Sequence, residues 1–182
     1  MPKFKDYPEF TPNLTPKQIF SLGSFIDWGG YWRDIYSGVL EKRLSNQHKE
    51  FKFLKDVPEH LLVNPEKDYK KYNRYSVKAG SSLKDWESKD WIHEQDPYGW
   101  VQWYCRFYNG RRTEDDKRQI KRWNNFCGEK GRWRNYIYSK IYSRNTTVYD
   151  NSFSLAVRQS LLHWAYKTNQ TDFDMWKLKN GY

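Results

Sequence analysis

One segment of the chain, DPYGWVQWYCRFYNGRR from Asp96 to Arg112, restricts the possible folds more than any other. If this segment is helical, large apolar side chains cover nearly all of its surface. One face holds Trp100, Trp103, Tyr104 and Phe107 at the spacing i, i+3, i+4, i+7, and a second row beside it holds Val101, Cys105 and Tyr108. Only Gln102, Arg106 and Asn109 remain to meet water or buried polar partners. Because a helix that is apolar all round belongs inside a fold, we expect the rest of the chain to pack around it.

Both ends of this central helix are indicated as well. Asp96 can accept hydrogen bonds from the first helical amides, and Pro97 suits the first helical position. Gly110 suits the left-handed conformation that commonly ends a helix. The segment therefore predicts a buried central helix over about 97–109.

The composition predicts a mainly α-helical, compact domain with an aromatic core. The chain has 182 residues, of which 19% are aromatic and 30% charged, and this aromatic content argues against disorder. Prolines in residues 1–14 predict an extended arm, and residues 15–182 predict a single helical domain with an irregular N-terminal half. We expect most rings in the core, although exposed rings that stack on bases or sugars are an alternative for each of them.

Helix signals in the N-terminal half are short. Thr15 predicts the cap of a short helix, and Ser82 with Asp85 predicts a capping box. Residues 41–62 predict two short helices or irregular segments. Residues 64–81 predict a long connection with room for one short strand, and their Lys, Arg and Tyr side chains make it a second candidate contact strip.

Three further segments of regular structure are expected after the central helix. Thr113 precedes three acidic residues and predicts a helix over 114–126, which a Gly-containing turn separates from a helix over 132–144. An apolar stripe over 153–165 predicts a last long helix, and an irregular tail follows from Thr171.

Cysteine usage and hydropathy predict a soluble intracellular protein in the cytoplasm, the nucleus or a viral particle, with no membrane partner. The two cysteines, Cys105 and Cys127, form no disulfide framework, and we interpret both as packing residues rather than nucleophiles. The sequence has no signal-like apolar N-terminus and no run of 18 apolar residues.

Positive charge is concentrated in one part of the chain. The formal net charge is +10, and residues 97–144 hold twelve Lys and Arg against four Asp and Glu. Such a local excess is typical of a surface that binds a polyanion, and a basic face that only increases solubility is the alternative.

This excess lies mainly on the two helices predicted over 114–126 and 132–144, which resemble a helix-turn-helix pair. Basic side chains occupy the faces that the aromatic stripes leave free, and we expect them to contact the phosphates of DNA or RNA. These candidate nucleic-acid-binding residues are Lys117, Arg118, Lys121, Arg122, Lys130, Arg132, Arg134 and Lys140. Base edges could be reached by Asn124, Asn125 and Asn135.

The sequence contains no motif for a metal or a cofactor. Its four histidines are scattered, without Cys or His at ligand spacing, and no Gly-rich phosphate loop is present. Asp115 and Asp116 suit capping and ion pairs with nearby arginines better than acid-base catalysis.

Two other functions stay open. The protein could be an enzyme of unknown reaction with a pocket beside the central helix, and its candidate catalytic residues are His93, Asp96, Gln102, Arg106 and Arg111. It could instead be a structural or assembly protein that binds an acidic partner or itself.

Long stretches of the chain resemble a family of uncharacterised proteins from eukaryotes, bacteria and large DNA viruses. The stretches that carry the resemblance are GGYWRDIYS, GWVQWYCRFYNGRR, DDKRQIKRW, GEKGRWRN and RQSLLHWAYK. The similarity covers most of residues 19–174. It implies a family fold, and it implies no activity and no role for any residue.

Overall fold

Short elements form the N-terminal half of the chain, and five longer helices form the C-terminal half. The computed structural model describes residues 1–182. The N-terminal elements are α1 (Pro16–Ser21), β1 (Ile35–Ser37), β2 (Lys42–Leu44), α2 (Glu59–Leu62), α3 (Tyr69–Tyr72) and α4 (Leu83–Glu87). The longer helices are α5 (Trp100–Tyr108), α6 (Asp116–Cys127), α7 (Arg132–Ser143), α8 (Leu155–His163) and α9 (Gln170–Lys179). This architecture confirms the expected mainly α-helical fold. None of the helices combines the length and the apolarity that crossing a bilayer requires.

The buried central helix predicted from the sequence is α5. Trp103, Tyr104 and Phe107 have no exposed surface, and they belong to one core cluster of 31 buried residues. The helix ends as predicted, because Gly110 adopts a left-handed φ of +98° and its amide donates to the carbonyl of Phe107.

The start of α5 differs from the prediction. The helix begins at Trp100 rather than Pro97, and Gly99 precedes it with a φ of +88°. The carboxylate of Asp96 does not cap the helix but binds Arg106 and Arg111. Hydrogen bonds between two charged groups are stronger than those between a carboxylate and neutral amides. The carboxylate of Asp96 therefore binds the two arginines instead of capping the helix.

Two of the other helix starts follow their predicted caps, whereas the start of α6 does not. Thr15 and Ser82 both form capping boxes, at α1 and α4. α6 begins two residues later than predicted, because the carboxylate of Asp116 accepts the amide hydrogen of Thr113 at 2.9 Å and the indole N–H of Trp103 at 2.8 Å.

Three segments differ from the sequence-based expectations. No pattern predicts the β1–β2 hairpin, since two strands of three residues are too short to show a period. Residues 64–81 contain α3 rather than a strand. The last predicted helix ends at His163, and the expected tail forms α9, whose Phe173 ring lies 5.5 Å from that of Tyr138.

The first 14 residues form no helix or strand and lie against the core. Phe10 is only 1% exposed, and its ring centroid lies 5.6 Å from that of Trp103 and 5.2 Å from that of Trp123. The amides of Asn13 and Leu14 both donate to the carbonyl of Ala165 at 3.1 Å. This N-terminal segment therefore contacts α5, α6 and the residues after α8.

Candidate functional site

A pocket lies at the junction of α5, α6, α7 and α8, between segments that are far apart in the sequence. Its volume is about 780 Å³, and 18 residues line it. Aromatic side chains dominate the lining, and five of them are the tryptophans Trp86, Trp91, Trp100, Trp133 and Trp164. The lining includes no Asp, Glu or Lys but three arginines, which are Arg118, Arg122 and Arg132. We call this site the aromatic pocket.

One face of α6 supplies side chains to the aromatic pocket. Arg118, Arg122, Asn125 and Phe126 recur at i, i+4, i+7 and i+8 and all line it. The apolar face of the same helix packs in the core, where Trp123 has no exposed surface. Since this packing fixes the rotation of α6 about its axis, it holds the arginine face toward the pocket.

Arg122 lies near two tryptophans of the pocket and has no carboxylate partner. Its Cζ is 5.5 Å from the ring centroid of Trp91 and 5.5 Å from that of Trp164. Its Nη1 donates to the carbonyl oxygen of Trp91 at 3.2 Å and to Oε1 of Gln119 at 3.0 Å. Burial, and then the positive charge of Arg118, lower the pKa of Arg122 to about 10. The side chain is still charged at neutral pH, so the pocket holds a cation that no protein carboxylate neutralises.

Arg118 is neutralised by an ion pair with Asp115, one of the pairs expected from the sequence. Its Nη2 lies 2.9 Å from Oδ2 of Asp115. Burial alone would raise the pKa of Asp115, but the hydrogen bonds from Arg118 and Gln119 outweigh burial and hold this pKa below its ordinary value. Arg118 therefore lines the pocket with its charge already compensated.

His163 adds a neutral polar group to the pocket wall. Its ring stacks on that of Phe25 with centroids 4.4 Å apart, and its Nε2 lies 2.5 Å from the carbonyl oxygen of Ser24. Burial lowers the pKa of His163, so the ring is neutral at pH 7. A carbonyl oxygen only accepts hydrogen bonds, so Nε2 carries the hydrogen and Nδ1 is an acceptor.

Along α7, two aromatic side chains lie between two basic ones, starting from the pocket. Cζ of Arg132 lies 4.9 Å from the ring centroid of Trp133, and the rings of Trp133 and Tyr136 are 5.7 Å apart. Nζ of Lys140 lies 5.8 Å from the centroid of Tyr136, which is 39% exposed. We call Arg132, Trp133, Tyr136 and Lys140 the basic-aromatic row.

The structure separates the eight candidate nucleic-acid-binding residues into three groups. Arg118, Arg122 and Arg132 line the aromatic pocket. The four lysines are exposed and form no ion pair, and they are Lys117, Lys121, Lys130 and Lys140. Arg134 is only 9% exposed, and its Nη2 lies 3.3 Å from Oδ2 of Asp172. This burial corrects the expectation that Arg134 lies on a free face, because α9 brings Asp172 against that side of α7.

Three of the five candidate catalytic residues form an ion cluster around a buried carboxylate. The side chain of Asp96 is 1% exposed, with Oδ2 2.5 Å from Nη2 of Arg111 and Oδ1 3.1 Å from Nη1 of Arg106. Arg106 also pairs with Glu50 at 2.6 Å. Burial raises the pKa of Asp96 even though both guanidinium groups oppose this shift. Both carboxylate oxygens of Asp96 are therefore occupied by groups of the protein.

The side chains of the other two candidates do not pair with this cluster, although the carbonyl of His93 accepts the amide hydrogen of Asp96 at 2.9 Å. His93 is exposed, and Gln102 is fully buried with its Oε1 accepting the amide hydrogen of Tyr98 at 2.9 Å. None of the five lines the aromatic pocket, to which α5 contributes Trp100 and Val101. A pocket beside the central helix is thus present, but its polar groups are not those that the enzyme hypothesis named.

Sequence reasoning missed most of the pocket wall. Trp86 and Trp91 are neighbours in the sequence, and the amide of Trp91 donates to the carbonyl of Trp86, but Trp164 follows α8, and no local spacing connects it to the other two. Asn125, which was expected to reach base edges, does line the pocket. The available signal was compositional, because ten tryptophans in a chain of this length suggest that some serve a purpose besides packing.

No group of three or more His, Cys, Asp or Glu side chains is placed to hold a metal ion.

Both cysteines are buried, and we expect them to be unreactive in the folded protein. Cys105 and Cys127 have no exposed surface, and burial raises the pKa of each thiol well above its ordinary value. Ellman's reagent should therefore modify neither thiol quickly in native buffer and both in denaturant. Rapid modification of one thiol per native chain would contradict this interpretation.

The chain matches no protein-family model, no curated protein and no solved structure. The resemblance to an uncharacterised family thus stays a prediction, and no residue of the pocket takes a role from a relative.

Proposed function

We propose that the protein binds nucleic acid through the exposed basic surface of α6 and α7, which act as a helix-turn-helix-like pair. The observation that carries this proposal is that six of the eight candidate contact residues have no carboxylate within salt-bridge distance. They are Lys117, Lys121, Arg122, Lys130, Arg132 and Lys140. Unpaired Lys and Arg side chains are the groups that contact phosphate oxygens in nucleic-acid complexes.

Of the acidic residues on α6 and α7 and around them, Asp115 neutralises only Arg118, Glu129 pairs with Lys179, and Glu114 forms no ion pair with the six free cations. Arg118 binds Asp115, and Nζ of Lys179 lies 2.6 Å from Oε1 of Glu129. Asp116 is 1% exposed and faces the core. A surface of this kind attracts a polyanion with a strength that falls as salt is added.

Aromatic side chains favour nucleic acid over a surface that is basic only for solubility. In the basic-aromatic row, Trp133 and Tyr136 lie between Arg132 and Lys140. Bases stack on rings while neighbouring cations contact the backbone, which is the usual arrangement in proteins that bind single strands. Solubility alone would not require rings among the cations.

Salt-dependent binding tests the proposal. A labelled single strand and a labelled duplex are titrated at several salt concentrations with the wild-type protein and with a variant that carries Gln at Lys117, Lys121, Lys130 and Lys140. We expect wild-type log-log slopes of about −0.7 per phosphate contact for the single strand and about −0.9 for the duplex. The variant should bind about tenfold more weakly at low salt and show a shallower slope, because a protein that makes fewer phosphate contacts releases fewer counterions when it binds.

A matched variant controls for net charge. Gln at Lys42, Lys49, Lys52 and Lys55 removes the same charge from exposed positions outside α6 and α7. Equal weakening by both variants would show that only total charge matters, and absence of binding at low salt would contradict the proposal. Displacement by polyglutamate at matched charge would favour an acidic protein partner instead.

A further inference from the structure

Building on the proposed function, we propose that the aromatic pocket receives one unpaired base of a nucleic-acid strand, with the phosphate of that nucleotide against Arg122 and Arg132. The preferred substrate class is then single-stranded or locally unpaired nucleic acid. The basic-aromatic row would contact the neighbouring nucleotides.

The size and lining of the pocket suit a nucleotide. Its volume of about 780 Å³ lies within the range of roughly 300 to 1,000 Å³ that is typical of sites for small organic ligands. Trp164 stacks on Phe126 with centroids 5.0 Å apart, and Trp91 is 39% exposed while also lining the pocket. Flat rings at several positions in the wall favour a flat aromatic ligand, because such rings stack on it face to face. Every base has a face of this kind, so stacking does not depend on which base is bound.

The charge of the lining selects an anion. Aromatic pockets often hold cations, but here two arginines without a carboxylate partner, Arg122 and Arg132, and the absence of acidic residues from the lining disfavour a cationic ligand. Arg122 has no carboxylate partner, and an anionic group beside it would gain charge-assisted hydrogen bonds. The favoured ligand therefore combines a flat ring with an anionic group, as a nucleotide does.

Two polar groups of the lining are available to the edge of a base. Asn125 is exposed and makes no side-chain hydrogen bond within the protein, and Nδ1 of His163 is an unprotonated acceptor. Amide and imidazole groups complement the donors and acceptors of base edges. A paired base in a duplex can reach such a pocket only after unpairing and unstacking, so an unpaired strand is favoured.

Trp91→Ala tests this inference directly, because the exposed side chain can be removed without opening the core. The affinities for a single strand and for a duplex of the same sequence are measured, with adenosine monophosphate as a competitor. We expect the wild-type protein to prefer the single strand and adenosine monophosphate to compete for it. Trp91→Ala should weaken single-strand binding about ten- to a hundredfold and leave duplex binding nearly unchanged, while Trp91→Phe should keep most of the affinity.

A control variant and two further competitors make the test specific. Tyr36→Ala removes a 60% exposed ring on β1, outside the pocket, and should change neither affinity. Equal loss of single-strand and duplex affinity in Trp91→Ala would overturn the inference. Competition by ribose 5-phosphate or by uncharged adenosine as strong as that of adenosine monophosphate would also overturn it. Those results would leave the proposed function unaffected. The proposed function itself would be contradicted if the variant with Gln at Lys117, Lys121, Lys130 and Lys140 bound nucleic acid as tightly as the wild-type protein does.

Discussion

Replacing Trp103 with alanine is expected to lower the free energy of unfolding by about 3–5 kcal/mol. The indole has no exposed surface, and its ring centroid lies 5.6 Å from that of Phe10 and 4.9 Å from that of Phe107. Its Nε1 donates to Oδ1 of the buried Asp116 at 2.8 Å. The variant loses buried apolar surface, leaves a cavity and removes a hydrogen bond from a buried carboxylate. Because domains are typically stable by about 5–15 kcal/mol, this loss would be a large fraction of the total.

Two other variants calibrate this expectation. Trp103→Phe keeps a ring but removes the indole N–H, so we expect a smaller loss of about 1–3 kcal/mol. Tyr149→Ala changes a side chain that is 74% exposed and should alter the stability by less than about 0.5 kcal/mol. Urea unfolding followed by circular dichroism measures all three. A loss for Trp103→Ala as small as that for Tyr149→Ala would mean that α5 is not the centre of the core.

Replacing Asp96 with alanine should also destabilise the fold by about 3–5 kcal/mol. The carboxylate is 1% exposed and lies between Arg106 and Arg111, whose side chains are 19% and 26% exposed. Without it, Arg106 keeps Glu50, but Arg111 loses its only ion-pair partner, and its buried Nε already has no hydrogen-bond acceptor. An unpaired, partly buried cation is costly even though a buried ion pair is not in itself strongly stabilising.

The exposed ion pair between Lys17 and Asp56 supplies the control for Asp96. Its two side chains are 43% and 80% exposed, so Asp56→Ala should change the unfolding midpoint little. Thermal or urea unfolding of both variants gives the comparison. If Asp96→Ala and Asp56→Ala proved equally mild, the cluster around Asp96 would contribute no more than a surface ion pair.

The central helix shows how far local patterns lead. Its apolar periodicity and Gly110 predicted the burial and the C-terminal end of α5, because both depend on residues only a few positions apart. The predicted start of α5 was wrong, because the carboxylate of Asp96 binds two arginines instead of the nearby backbone amides. The capping rule considers only the amides.

The two basic helices show the same limit for the candidate site. Lys117, Lys121 and Lys140 are exposed as their spacing predicted, whereas Arg134 is buried against Asp172. Helical spacing assigns a residue to a face, but it does not tell which later segment will cover that face. The contact between α7 and α9 settled this point for Arg134.

The sequence by itself determined where most helices form, that aromatic rings fill the interior, and that positive charge accumulates in residues 97–144. These properties follow from composition and from neighbours within a few helical turns. Only the tertiary structure decided that Trp91 and Trp164 both lie near Arg122 in one pocket. It also decided that Arg134 is buried against Asp172 and is therefore not part of the exposed basic surface. Such contacts join segments that are distant along the chain, and they depend on how the helices pack, which no short-range pattern encodes.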